Sequence, residues 1–429
     1  MKKILIITYY WSPAGGAAIQ RILKFVQYMV KYDYQPIILT VKKGEYQAFD
    51  TGLEKLIPNS CLVFKTGIRE PGGLYKRFVG MKQNEPIPDS VLTEKKISWK
   101  KKLANWIRLN LFIPDAKIGW KPYAVKQGGK IISKYHPDII FSSSPPPTVH
   151  LIAKTLSKKY GIKWVADFRD PWTNIHYYNQ LPKNKLSQLI DKYLEKAVLK
   201  TADKITVVNK DFFDEIDNNK EVVIPNGFDS SDFPENLPNV RNDKFTIRWT
   251  GSYKPRQYLD SFFDALKEMI LQMNMQNSFR LEFIGNADPN VKSKIINKNL
   301  PFEINFKDFV EHEKIIKSIL QSDMLLLVIG VSDRAPHILS TKIFEYLLSH
   351  KPIVAFGPKN GAADKLLQKT KSGRLYDYDN EKSAVNFIKE QIINWRNNKV
   401  YKDYNEKEIN KYERKVLTKK LIKVFEEII

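Results

Sequence analysis

One pattern occurs twice in this chain, a buried strand that runs into a glycine-containing turn and then a helix, and it leaves few folds open. The first copy reads as an apolar strand from Ile4 to Tyr9, a loop from Tyr10 to Gly16, a helix from about Ala17 to Lys31 and a second strand from Pro36 to Thr40. The second starts again as a strand from Phe245 to Trp249, a loop from Thr250 to Gln257, a helix from Tyr258 to Met273 and a strand from Arg280 to Ile284. Further apolar runs read as strands at Cys61 to Lys65, Asp138 to Ser142, Lys163 to Asp167, Lys204 to Asn209, Glu221 to Pro225, Asp323 to Ile329 and Pro352 to Phe356. Strands alternating with helices mean parallel sheets covered on both faces.

At 429 residues the chain is too long for one ordinary core. The expected division is an N-terminal Rossmann-like domain over 1–225, a linker over 226–243, a C-terminal Rossmann-like domain over 244–397, and a basic C-terminal helix over 398–429 packing back on the first domain. In that helix Ile409, Tyr412, Val416, Leu421, Val424, Phe425 and Ile428 recur at helical spacing. The expected fold is α/β, two facing Rossmann-like domains with a cleft between them. Ligands of such sheets bind beyond the carboxyl ends of the strands.

Charge narrows the partners. Seventy Lys plus Arg against 47 Asp plus Glu give a net +23, which calls for an anionic partner: nucleic acid, an anionic membrane or a phosphorylated substrate. No zinc-finger or RNA-recognition signature supports nucleic acid. The one cysteine, Cys61, excludes an internal disulfide framework and fits a reducing cytoplasm. The first apolar run is short, ends at Ser12-Pro13 and lacks a cleavage pattern, so it reads as a strand rather than a signal peptide. No run of 18 apolar residues exists to span a bilayer.

The segment Ser340-Thr341-Lys342-Ile343-Phe344-Glu345 carries two hydroxyls and an ammonium where a helix begins, with a carboxylate one turn further in. Free backbone N–H groups and the positive end of a helix dipole suit a phosphate, and Glu345 can accept from two ribose hydroxyls. A capped amphipathic helix is the plainer alternative. Gly15-Gly16 and Gly251 let backbone approach a diphosphate in the matching turns of the two halves. Lys254 and Arg256 can neutralise a departing diphosphate, and Arg21 adds a cation near the first turn or pairs with an acid.

Val165-Ala166-Asp167-Phe168-Arg169-Asp170 ends a strand with three charges. Asp170, or Asp167, is placed to orient or deprotonate an acceptor hydroxyl, unless an Asp–Arg pair braces the loop. Arg169 and Ser143, from the Ser142-Ser143-Ser144 run, are expected to line the acceptor side. Asp377-Tyr378-Asp379 is a D-x-D without a second metal signal, and the six histidines show no metal spacing, so no metal is expected.

An insertion at about 70–130 contains a stretch in which Trp99, Leu103, Trp106, Ile107 and Leu111 share one helical face, while Lys100, Lys101, Lys102 and Arg108 lie mostly away from it. That is the composition of an interfacial helix on an anionic membrane surface, though a core-packed helix with a basic outer side has the same pattern.

The residues resemble the GT-B-fold glycosyltransferases, in particular the large retaining group called family 4. The likeness is carried by Tyr9-Tyr10-Trp11-Ser12-Pro13-Ala14-Gly15-Gly16, Ala166 to Trp172, Ile224-Pro225-Asn226-Gly227-Phe228-Asp229, Trp249-Thr250-Gly251-Ser252 and Ser340 to Leu347. The resemblance implies transfer of a sugar from a nucleotide sugar, as substrate rather than cofactor, to a hydroxyl of a lipid-linked or polysaccharide acceptor, with retention and without metal. It implies that Gly15, Gly16, Lys254 and Arg256 hold the diphosphate and Glu345 the ribose. Two departures stand out. Many members pair two glutamates eight positions apart, and here His337 stands eight before Glu345, facing the donor sugar in that comparison. Many also place a histidine where this chain has Arg169-Asp170. A cytoplasmic enzyme of bacterial surface glycan synthesis, peripheral on the inner face of the membrane, is the expectation. A sugar-nucleotide epimerase or hydrolase on the same fold is the alternative.

Overall fold

The computed structural model describes all residues except 47–48, 71, 74–76, 78–79, 81–97, 176–177, 179–180, 211–212, 214–215, 218, 234–241 and 309. Part of the expected insertion, and Pro234 and Pro238 of the expected linker, lie outside the described residues. The chain divides into two compact units, Met1–Pro225 with Leu417–Ile429, and Asn226–Val416.

The first unit is built on seven parallel strands: β1 (Lys2–Ile7), β2 (Tyr34–Val41), β3 (Leu62–Thr66), β4 (Ile139–Ser144), β5 (Lys163–Phe168), β6 (Lys204–Val207) and β7 (Glu221–Val223). Their order is β3-β2-β1-β4-β5-β6-β7, so the direction of winding reverses between β1 and β4. The strand residues Ile4 to Ile7, Ile37 to Leu39 and Ile139 to Phe141 are all fully buried, as expected of a sheet covered on both faces. The helix Ala17–Lys31 covers one face, burying Ile19, Ile22, Leu23, Phe25, Val26 and Met29 along one stripe.

The end of the chain completes that same face. Leu417, Leu421, Ile422, Val424 and Phe425, from the helix Arg414–Glu426, join Ile4, Ile6 and Phe141, with the Phe141 and Phe425 rings 5.6 Å apart. Burying each such side chain stabilises by roughly 1.5–3 kcal/mol, so the returning segment is a structural part of the first unit.

The single helix expected over 398–429 is broken. A short helix, Glu406–Ile409, and a turn, Asn410–Tyr412, precede Arg414–Glu426. Ile409 and Tyr412 pack in the second unit, and Val416 is 47% exposed. Phe228 explains the break: its amide donates to Tyr412 O and its carbonyl accepts from Arg414 N, which pulls this backbone into a strand-like bridge.

The second unit has six parallel strands: β8 (Phe245–Thr250), β9 (Phe279–Ile284), β10 (Glu303–Lys307), β11 (Met324–Val328), β12 (Ile353–Phe356) and β13 (Gly373–Tyr376), in the order β10-β9-β8-β11-β12-β13. The reversal point lies between β8 and β11. The sheet edges β10 and β13 have no counterpart in the sequence reading, being short and only partly buried. Among the described residues no helix is long and apolar enough to cross a membrane.

Candidate active site

In the second unit the crevice beyond the reversal point is assembled from three segments. The loop after β8 is tied to the end of β11 by Gln257, whose amide group donates to Val328 O at 3.1 Å, and by Val331, whose amide donates to Arg256 O at 3.0 Å. The helix Thr341–Leu348 is fixed to the end of β8 by Tyr346, whose hydroxyl accepts from Thr250 N at 2.9 Å and lies 3.1 Å from Thr250 Oγ1. Its buried stripe of Ile343, Phe344, Tyr346 and Leu347 turns Lys342 and Glu345 to the other side.

These constraints bring together Gly251, Lys342 and Lys254. Gly251 has φ +84, a conformation that favours glycine, and a Cβ there would come within 3.1 Å of Lys342 Cε. The Lys342 ammonium is buried over the Trp249 ring, 3.5 Å from its centroid, and has no hydrogen-bond partner among the described residues. Burial pushes its pKa down to about 7, the nearby Glu345 carboxylate opposing this and the Lys254 cation adding to it. Ser340 sits at the helix N-cap without a side-chain capping bond, beside an exposed Thr341. Lys254 and Arg256 are exposed in and beside the turn Pro255–Gln257.

Glu345 is held rather than merely solvated. His312 Nε2 lies 3.0 Å from Glu345 Oε1, the two side chains being 26% and 22% exposed, so one carboxylate oxygen is fixed. His312, Tyr346 and Trp249 escaped the sequence reading as site residues. Tyr346 and Trp249 lie inside motifs already singled out, whereas His312, 33 residues upstream of Glu345, carries no local signal. His337 is half-buried in the turn Ala335–His337.

In the first unit the corresponding turn holds Gly16 at φ +85, capping the helix Ala17–Lys31 without a side-chain bond, and a Cβ there would meet nothing within 4 Å. The half-buried Gly15 precedes it. Arg21, read either as a cation near this mouth or as the partner of an acid, is 1% exposed and paired with Asp167 at 2.9 Å. It also donates to Ile224 O and Pro225 O. A carboxylate buried at the end of β5 needs a counter-charge, and Arg21 is that counter-charge.

Asp167 is therefore a brace and not a base. It accepts from Ser143 Oγ and Thr206 Oγ1, each at 2.7 Å, besides Arg21. Burial would raise its pKa, but the guanidinium and the two hydroxyls outweigh that and hold it below the usual carboxylate value. Ser143, expected to touch substrate, is fully buried in this cluster. Arg169 donates to Ser144 O at 2.8 Å and to Pro145 O at 3.3 Å, which fixes the loop after β4. Asp170 is exposed at the end of β5, leaving it the carboxylate of this segment that faces solvent.

In the D-x-D pair, Asp377 Oδ1 accepts from Lys359 N at 3.1 Å. Among the described residues no group of three or more His, Cys, Asp or Glu is placed to hold a metal.

Comparison with known proteins agrees with this architecture. Residues 95–232 match the model of Glycosyltransferase Family 4. No curated protein matches the sequence significantly. Among solved structures, sucrose-phosphate synthase from Thermosynechococcus elongatus superposes with a TM-score of 0.65 at 11% identity, covering 100% of this chain and 99% of the other. A glycosyltransferase from Rickettsia africae does so with 0.62 at 17% identity, covering 100% and 98%. Anabaena HepE, in complex with UDP, does so with 0.64 at 14% identity, covering 100% of both chains. The fold is thus GT-B, two parallel-sheet Rossmann-like units; the chain is similar to Glycosyltransferase Family 4 in sequence over 95–232 and to these solved structures in fold throughout.

Proposed function

We propose that this protein is a metal-independent retaining glycosyltransferase that moves a sugar from a nucleotide-sugar donor to a hydroxyl of a lipid-linked or glycan acceptor. The observation that carries the reading is the buried ammonium of Lys342, without a hydrogen-bond partner among the described residues, beside the Gly251 turn, with Glu345 held one helical turn away. An unpaired buried cation is costly, and an anion in the crevice would offset that cost. The complex of HepE with UDP supports a nucleoside diphosphate as that anion.

In this reading the diphosphate lies against Gly251, the helix start at Ser340 and Thr341, and Lys342, with Lys254 and Arg256 over it. Glu345 accepts from the ribose hydroxyls. When the glycosidic bond breaks, negative charge grows on the leaving phosphate oxygen, and these cations stabilise it without reorganising. That oxygen takes the acceptor's proton as the new bond forms on the same face of the sugar. The first unit would supply the acceptor side, Gly15 and Gly16 giving close backbone approach and Asp170 a carboxylate to orient the hydroxyl. The Trp99–Asn110 helix, with Lys100, Lys101, Lys102 and Trp106, would rest on the inner face of an anionic membrane, which fits a role in bacterial surface glycan synthesis.

Calorimetry against a panel of nucleotide sugars tests this. One donor is expected to bind, and Glu345→Ala to raise its KM strongly. Binding of no nucleotide sugar by the wild type would sink the reading, and efficient turnover of donor with no acceptor present would move it to an epimerase or hydrolase.

A further inference from the structure

The amphipathic helix of the insertion does not bury its apolar face. Trp99 is 67% exposed, Leu103 43%, Trp106 44%, Ile107 36% and Leu111 66%, while the small and polar Ala104, Asn105 and Asn110, with Leu109, are turned inward. A second helix in the same unit, Lys185–Thr201, repeats the arrangement: Leu186 is 67% exposed, Leu189 65%, Ile190 39% and Tyr193 72%. Their spacing of three, one and three residues puts all four on one stripe.

The two helices are built as one piece. Asn110, at the end of the first, donates to Pro182 O at 3.0 Å, accepts from Asn184 N at 2.7 Å and offers its carbonyl to Ser187 Oγ at 3.3 Å. Asn184 is the N-cap of the second helix, so the end of one exposed stripe is pinned to the start of the other. Scattered surface leucines need no explanation, but two pinned stripes of this size do.

The charges that these two helices leave exposed are of one sign. The first helix has no acidic residue and carries Lys100, Lys101, Lys102 and Arg108. The second has two acids, and both are spent inside. Asp191, 1% exposed, accepts from Trp172 Nε1 and Tyr178 Oη and pairs with Lys183. Glu195, 9% exposed, accepts from the backbone and hydroxyl of Thr173. The exposed charges left on this helix are Lys185, Lys192, Lys196 and Lys200.

We infer that the helices Trp99–Asn110 and Lys185–Thr201 form a single two-helix platform that seats the first unit on an anionic lipid surface. Apolar and aromatic side chains enter the headgroup boundary, Trp and Tyr at its polar edge, while the lysines meet lipid phosphates. A second copy of this chain is the poorer occupant, since two such faces would oppose like charges across the contact. The inference rests on the reading of a membrane-borne acceptor, and it adds the second helix to that reading.

Flotation of the full chain with vesicles of mixed phosphatidylglycerol and phosphatidylcholine tests it, with no donor or acceptor present, so its outcome is independent of the catalytic reading. The wild type is expected to float with the mixed vesicles and far less with pure phosphatidylcholine, each basic residue at the surface contributing roughly fivefold. Leu186→Ser with Leu189→Ser, and separately Trp99→Ser with Trp106→Ser, should each lower partitioning by about tenfold or more. All four residues are exposed, so the variants should fold, as an unchanged melting temperature and unchanged nucleotide affinity would report. Wild-type flotation by the Leu186 and Leu189 variant would overturn the two-helix platform. So would failure of the wild type to bind mixed vesicles, or a concentration-dependent dimer that these substitutions abolish.

Discussion

The Lys342 ammonium sits 3.5 Å from the centroid of the Trp249 ring, buried and without a hydrogen-bond partner among the described residues. The ring offers partial compensation for a charge withdrawn from water, worth roughly 2 kcal/mol when desolvated. That does not restore full solvation, which is why burial leaves the amine's pKa at about 7.

Nucleotide affinity should therefore depend on pH through this group. Below about 7 the amine is charged and attracts the diphosphate, and above it the free protein holds a neutral amine that must be protonated on binding. Affinity is expected to fall as pH rises through about 7, by up to tenfold per pH unit. Titration calorimetry of wild type against Lys342→Met over this range measures it. Parallel profiles in the two proteins would remove Lys342 from the phosphate site.

Glu345 makes a different prediction, because its partner would be the sugar of the nucleotide. A carboxylate bonded to two ribose hydroxyls contributes about 1.5–3 kcal/mol per bond. Wild type should bind a nucleoside diphosphate at least tenfold more tightly than its 2′,3′-dideoxy form, and Glu345→Ala should bind both alike. His312→Ala, which frees the carboxylate oxygen now fixed at 3.0 Å, should narrow the difference without erasing it. Equal preference for the ribose form in all three proteins would refute the assignment.

The sheets were legible in the sequence because parallel strands buried on both faces are continuous apolar runs, and Ile4 to Ile7 or Met324 to Val328 can hardly be anything else. The edge strands Glu303–Lys307 and Gly373–Tyr376, partly exposed, lack that signal. Gly251, Lys342 and Glu345 could be singled out as candidates because each belongs to a local strand-turn-helix grammar. Of the two roles open to Arg21 the structure has the pairing with an acid, but the sequence could not name that acid, because Asp167 is 146 residues away and no periodicity reports a long-range ion pair. The same holds for the C-terminal segment. Ile409, Tyr412 and Val416 fit one helical stripe, yet the backbone bonds of Phe228 to Tyr412 and Arg414 interrupt it.

The Arg21–Asp167 pair should behave as structure, not catalysis. With both side chains almost fully buried, Asp167→Asn leaves a guanidinium without its counter-charge and should cost about 3–5 kcal/mol by denaturant unfolding. Because the carboxyl pKa is depressed in the folded state, its stabilisation is complete above the ordinary carboxylate value and is lost as pH falls through the depressed one. Ser143→Ala removes a single bond to this carboxylate and should cost about 1.5–3 kcal/mol with kcat unchanged. A large drop in kcat at full stability would return Ser143 to the acceptor site.

Gly16 and Gly251 allow strain to be separated from function. Both have positive φ, +85 and +84, so an alanine at either should cost about 1–3 kcal/mol in backbone energy, a loss readable in thermal unfolding. Their surroundings differ. A Cβ at Gly16 meets nothing within 4 Å, whereas one at Gly251 comes within 3.1 Å of Lys342 Cε and must move it. Gly251→Ala should therefore also displace the ammonium from the Trp249 ring, weaken nucleotide binding and flatten its dependence on pH, while Gly16→Ala keeps the wild-type pH profile at similar loss of stability. Matching pH profiles for the two alanine variants would mean that Gly251 is there for its turn alone.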